Sequence, residues 1–527
     1  MDFELPYASR RMPVLAANVV ATSQPLAAQA GLRMLLSGGN AVDAALATAI
    51  ALAIVEPTSN GIGSDAFAIL WDGERLHGLN ASGRSPAALT PDRFAGRAAM
   101  PRVGWDTVTV PGAVSAWVEL SSRFGRLPFE HLFEPAIAYA RDGFLVAPIT
   151  ARAWSNASEV YAGFEEFGRH FLPQGRAPRA GERFRYEEQA CTLEHIAKTR
   201  GEAFYTGDLA SAMARSSRDQ GGLLSEEDLS SHRVDWVGTL STGFAEIDLH
   251  EIPPNGQGLA ALIMLGILRH HPAASAPPDS ADGLHVQIEA MKLAFADAHR
   301  YIADPDTMDL VAGDLLDDDY LAERAGLIDM KRAREPVYGV PRRGGTVYLS
   351  AADADGMMVS FIQSNYQGFG SGVVVPGTGI VLQNRGSGFT LEPGHPNQVG
   401  GGKRPFHTII PGFVTRRGQP VLSFGVMGGP MQPQGHAQMV LRIFRHGQNP
   451  QAASDAPRWQ VRGGLMVEVE QGFAAEALDD LRGRGHQLTV RAFGRTDTFG
   501  GAQLVMRIDG GYIAASESRK DGQAVGY

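Results

Sequence analysis

GGTVYLSAADADGMMVSFIQSNYQGFGSGVVVPGTGIVLQNRG, residues 344–386, is the stretch on which the reading of this chain turns. Gly344 and Gly345 precede Thr346, and the chain then alternates to Asp355-Gly356 before resuming as Met357–Ile362. That pattern predicts a β-hairpin closed by a tight turn. Loop lengths of two to four residues all set Thr346 opposite Gln363–Asn365, which places the Ser364 hydroxyl beside it. A threonine hydroxyl is a weak nucleophile and needs a base. Cutting the Gly345–Thr346 bond would supply one, because the freed α-amino group titrates near ~8 and suits proton transfer at neutrality.

The same residues fit a bland reading, a threonine entering a strand after a glycine loop. What lifts Thr346 above that reading is the order of blocks around it. "ATSQPLAAQAGLRMLLSGGNAVDAALATAIALAIVEPTSNGIGSDAF" (21–67) comes first. It is followed by "TVPGAVSAWVEL", "IPPNGQGLAALIML", "HVQIEAMKLAFADAHRYIADP", the Thr346 stretch, "GKRPFHTIIP", "SFGVMGGPMQPQGH" and the ending "SESRKDGQAVGY". In that order the chain resembles the γ-glutamyltransferase family of N-terminal-nucleophile hydrolases along nearly its whole length. The resemblance implies a four-layer αββα sandwich of the α+β class. It further implies self-cleavage between Gly345 and Thr346, giving an α segment 1–345 and a β segment 346–527 that form one intertwined unit, with strands from both in the central sheets.

Composition sets limits of its own. The 527 residues, 44% of them hydrophobic, suffice for an extensive core. A formal net charge of -10 without a basic run argues against nucleic acid or an anionic membrane as partner and fits small-molecule chemistry, which the resemblance makes that of an amide. Homo-oligomerisation is left open. The single Cys191 excludes a disulfide within one chain and reads as a small buried hydrophobe. The opening residues lack a cationic region followed by an apolar core, so a cytoplasmic location is expected. The apolar run Ala44–Val55 is shorter than the roughly 20 residues of a membrane span and reads as a buried helix, punctuated by Gly38-Gly39-Asn40 before it and Glu56-Pro57 after it.

Leu284–Ile302 shows helical periodicity. Pro173–Arg183, Pro272–Ala281 and Arg332–Gly345 read as loops, the last being where a self-cutting chain needs a segment that can be held strained. His270-His271, His285 and His299 lack metal-ligand spacing, and Asp314 with Asp317–Asp319 lack a calcium-loop pattern, so no metal and no cofactor are expected. Gly61-Ile62-Gly63 reads as a tight turn, placed by the resemblance near the site as scaffold.

The resemblance also assigns roles. Gly428-Gly429 corresponds to the family's oxyanion hole, where backbone N–H groups approach the charged oxygen because side chains are absent. Substrate recognition departs from the family. Ser82 stands in the column of the carboxylate-binding arginine, with Arg84 two residues on. Gly386-Ser387-Gly388-Phe389 replaces Met-Asp-Asp-Phe, so the acid that takes the substrate's α-amino group is missing. Tyr366 replaces an asparagine, His407-Thr408 stand in place of a serine pair, and Arg385 adds positive charge. The expected activity is cleavage of γ-glutamyl amides such as glutathione through an acyl-enzyme. The alternatives are an acylase for dicarboxylic monoamides without an α-amino group, and a non-catalytic binding protein.

Overall fold

The computed structural model describes residues 11–336, 345–493 and 497–527, and side chains in these ranges apart from 345–348 and Asp497. The opening residues read for a leader, most of the loop before Gly345 and the Thr346 side chain lie outside the described residues. Two seven-stranded antiparallel sheets form the centre. The first runs Gln523–Gly526, Val19–Thr22, Gly345–Ala352, Met358–Tyr366, Asp65–Trp71, Leu76–Asn80, Asp235–Trp236. The second runs Val14–Ala16, Gly511–Ser516, Ala502–Ile508, Gln419–Val426, Gly412–Arg416, Ile247–Glu251, Leu240–Phe244. Both sheets take strands from before and after residue 345.

The sheets face each other through small side chains. Ser350 and Ser423 share a hydrogen bond of 2.8 Å across the interface, and Ser360 Oγ donates to the Phe424 carbonyl at 3.2 Å. Helices Pro25–Leu36 and Ala41–Val55 cover the outer face of the first sheet; Gly258–His270 and Met431–Val440 cover that of the second. The result is the expected αββα order of layers.

Helix Ala41–Val55 is buried at every position. Alanines every few residues let it be sandwiched, and a capping box starts it: Asn40 Oδ1 accepts the Val42 and Asp43 N–H groups while Asp43 Oδ2 accepts the Asn40 N–H at 2.9 Å. Its neighbour comes so close that a Cβ on Gly31 would meet Thr48 Oγ1 at 2.2 Å. Helix Ala281–Tyr301 spans all of the predicted 284–302 but its last residue and is buried on nearly all sides, with Leu293 only partly covered. Cys191 corrects the sequence reading. It is exposed, because helix Glu187–Thr199 turns Ala190, Leu193, Ile196 and Ala197 inward and leaves Cys191 on the solvent side. Among the described residues no helix is long and apolar enough to cross a membrane.

Candidate active site

The hairpin forms as its sequence requires. Strands Gly345–Ala352 and Met358–Tyr366 pair antiparallel, and the turn is closed by the Asp353 N–H on the Met357 carbonyl with Gly356 at φ 96°. Gly345 pairs with Tyr366 and Val347 with Gln363, with a bulge between them. The register therefore sets Thr346 against Ser364 and Asn365, and the bulge re-aims the strand at that point.

The surroundings of Ser364 are rigid. Its Oγ accepts the Tyr366 N–H at 2.8 Å, and on its other side it pairs with Asp65. Asn365 is held by Ser64 Oγ at 2.9 Å and by its own N–H on the Ser59 carbonyl. Gly61–Ser64 is the tight turn expected there, and Gly63 must lack a side chain because a Cβ would meet the Val381 carbonyl at 2.2 Å. Tyr366 lies at φ 79°, a left-handed backbone that costs a non-glycine residue about 1–3 kcal/mol and clusters at functional sites.

Gly428 and Gly429 end strand Gln419–Val426 with φ of 116° and 60°. Their carbonyls accept from Met431 and Gln432 at the start of the next helix, while among the described residues neither N–H is spent on an acceptor. Gln257 ties this turn to the Thr408 segment by donating to the Gly429 carbonyl at 2.8 Å and to the Thr408 carbonyl at 2.6 Å. Tyr366, Gly388, Phe406, Thr408 and Pro430 share the lining of one cavity of ≈ 240 Å³.

Arg385 is fully buried against two of these lining residues, Thr408 and Tyr366, with its guanidinium 4.5 Å from the centre of the Tyr366 ring. Its Nη1 donates to Thr408 Oγ1 at 2.8 Å, and Nε and Nη2 have no partner among the described residues. Burial pushes its pKa down to about 10 against the pull of Asp65. His407 is equally buried. Its Nδ1 accepts the Ile409 N–H, so Nε2 carries the proton and donates to Asp65 Oδ2 at 3.1 Å. Burial, then Arg385 and Arg404, hold it well below the ordinary histidine range, hence neutral. Asp65 Oδ1 accepts from the Gly83 and Gly112 N–H groups, yet burial raises its carboxyl to about 7.

Arg84 stands apart from this group. It is 41% exposed and its charge is met by Asp304 at 2.8 Å and Asp306 at 3.7 Å. Ser82, in the arginine column, is buried and donates to Asn80 Oδ1. Gly388 leaves no room for an acid, since a Cβ there would meet the Phe406 carbonyl at 2.6 Å.

Sequence reasoning missed Asp65 and Gln257. The signal for Asp65 was an acid at the head of the apolar run Ala66–Leu70; Gln257 sits between two glycines where a helix begins. It also missed that His285, Glu289 and His486 bring ligand atoms within 4.8 Å of one another. There the Lys292 ammonium sits on Glu289 Oε1 at 2.6 Å and His285 Nε2 meets the Asp329 carbonyl, so the cluster anchors the strand of chain that leads toward Gly345.

Residues 27–527 match the family described as gamma-glutamyltranspeptidase. The chain belongs to that family. Curated relatives include the glutathione hydrolase-like YwrD proenzyme of Bacillus subtilis, 36% identical over 97% of this chain and 98% of the relative. The oxamate amidohydrolase proenzyme of Klebsiella pneumoniae is 36% identical over 95% and 97%. Among solved structures, the cephalosporin acylase from Bacillus halodurans superposes with a TM-score of 0.95 at 47% identity, covering 100% of this chain and 99% of that one. The gamma-glutamyltranspeptidase family member described here is thus a hydrolase of N-terminal-nucleophile fold whose relatives are named for different substrates.

Proposed function

We propose that this chain is a self-cleaving N-terminal-threonine amidohydrolase, made as a precursor and matured into segments 1–345 and 346–527. The observation that carries the reading is the register of the hairpin, which sets the Gly345–Thr346 bond against Ser364 and Tyr366. Relatives named as proenzymes support it.

In maturation the Thr346 hydroxyl attacks the Gly345 carbonyl carbon. The C–N bond breaks as the ester forms, and the α-amino group is freed. Water then hydrolyses the ester, leaving a carboxylate on Gly345 and restoring the hydroxyl. In turnover the α-amino group takes the hydroxyl proton while the oxygen attacks the substrate amide. The tetrahedral oxygen is met by the unspent N–H groups of Gly428 and Gly429, Ser364 orients the nucleophile, and the leaving amine departs with the proton. Water, or an acceptor amine, then takes the acyl group.

For the donor, the pocket favours acyl groups that carry a carboxylate and no ammonium over γ-glutamyl groups. A buried ammonium without a carboxylate partner is costly, and Gly388 offers neither an acid nor space for one. Tyr366, His407 and Thr408 complete the walls. The relatives that support this reading are the acylase and the oxamate amidohydrolase; the glutathione hydrolases support the γ-glutamyl one.

Two experiments test the proposal. Wild-type protein is expected to resolve on a denaturing gel into two fragments, and Thr346→Ala to remain one chain without amidase activity. Amidase activity in Thr346→Ala would overturn the nucleophile. Glutaryl and γ-glutamyl anilides with one leaving group then separate the donors: a higher kcat/KM for the glutaryl anilide is expected, and a γ-glutamyl preference contradicts a pocket that favours the ammonium-free acyl group.

A further inference from the structure

Resting on that assignment of the nucleophile, the geometry points to Arg385 as the group that reads the acyl donor's carboxylate. Its guanidinium spends Nη1 on Thr408 and leaves Nε and Nη2 unpartnered among the described residues. Those two nitrogens form one edge of the planar fork, the edge whose parallel N–H groups match a carboxylate bidentately. Buried donors are almost always satisfied, and a buried cation without its anion is costly, so an empty bidentate edge in the interior is a site awaiting an anion.

The position of the edge fits the reaction. Tyr366 carries the guanidinium on its ring, gives its N–H to Ser364 and pairs through its backbone with Gly345. The anion would therefore sit one side chain away from the reacting bond. Thr408 and Tyr366 both line the ≈ 240 Å³ cavity, which is the route to it. Nε and Nη2 are sealed from solvent, so binding requires the side chains over them to move. Neighbouring charges do not fill the role. Asp65 is committed to Gly83, Gly112 and His407, and Arg84 to Asp304 and Asp306. The substrate class that follows is the monoamides of dicarboxylic acids, with the carboxylate on Arg385 and no ammonium beside it.

The test compares glutaryl, γ-glutamyl and butyryl anilides of one leaving group on wild type, Arg385→Lys and Arg385→Met. Wild type is expected to prefer glutaryl over butyryl by about a hundredfold in kcat/KM, ~2.7 kcal/mol of differential binding. The ratio is expected to fall toward one in Arg385→Met, mainly through KM, with partial retention in Arg385→Lys. An unchanged ratio in Arg385→Met overturns the inference. A gel showing the cut before Thr346 in each variant separates this outcome from failure of the nucleophile reading. Calorimetric titration with glutarate reads the edge without turnover: loss of binding in Arg385→Met supports the assignment, and equal binding overturns it.

Discussion

Two buried arginines in this chain carry an aromatic ring on one face and differ in what meets the edge of the fork. Arg519 lies 4.2 Å from the centre of the Phe493 ring, and its Nε and Nη2 hold both oxygens of Glu470 at 2.8 and 2.7 Å. Glu517 takes its Nη1 at 2.8 Å and also pairs with Arg458 at 2.7 Å. Burial alone would raise the Glu517 carboxyl, but the two guanidiniums together hold it at about 2. Arg385 has the same stacking on Tyr366 and an empty edge, and burial lowers it to about 10. Burial of an arginine therefore does not by itself report its role. Where the protein supplies the carboxylate, the pair fastens the fold; where it withholds the carboxylate, charge is kept for a ligand.

The comparison can be broken most forcefully at its paired end. Glu517→Gln leaves two buried guanidiniums short of a counter-charge and is expected to lower unfolding stability by about 3–5 kcal/mol, measured by denaturant titration. A loss under about 1 kcal/mol would make the network incidental. Next in size, Gly388→Asp puts an acid near Arg385 but drives its Cβ into the Phe406 carbonyl. It is expected to cost about 1–3 kcal/mol of stability without gaining γ-glutamyl activity, since the backbone must shift to hold it. Arg385→Met removes an unpaired charge and is expected to leave stability within about 1 kcal/mol of wild type while glutaryl selectivity collapses. A cost equal to that of Glu517→Gln would make Arg385 a structural cation.

A further effect concerns pH. The Asp65 carboxyl is raised by burial from 3.8 to about 7 in the folded chain. Its contribution to stability is therefore fullest below pH 3.8 and is lost as pH rises through about 7. Asp65→Asn removes that slope, so melting temperatures measured from pH 4 to pH 8 should decline less in the variant than in wild type. A parallel decline in both would show that Asp65 does not titrate there.

What the sequence made legible is local. The hairpin around Thr346 was readable because alternation, Asp355-Gly356 and strand register are set by neighbours, and helix Ala41–Val55 because Asn40 and Glu56 mark its ends. The loops at Pro173 and Pro272 appear as short helical turns flanked by irregular chain. What escaped depends on partners brought from afar. His407 meets Asp65 across 342 residues, and Arg84 meets Asp304 across 220, so the charge of Arg84 is already met by a distant acid. Cys191 was misread because composition reports how often cysteine is buried, while the face of its helix decides whether this one is. The state of Arg385 was least legible, since an unpartnered edge is defined by everything that fails to reach it.

The central claim is that Thr346 becomes the amino terminus that performs the chemistry. N-terminal sequencing of the smaller fragment from purified active protein tests it most directly. Thr346-Val347-Tyr348-Leu349 are expected as the first residues; active protein that remains uncut, or a fragment beginning at any other residue, would contradict this role for Thr346.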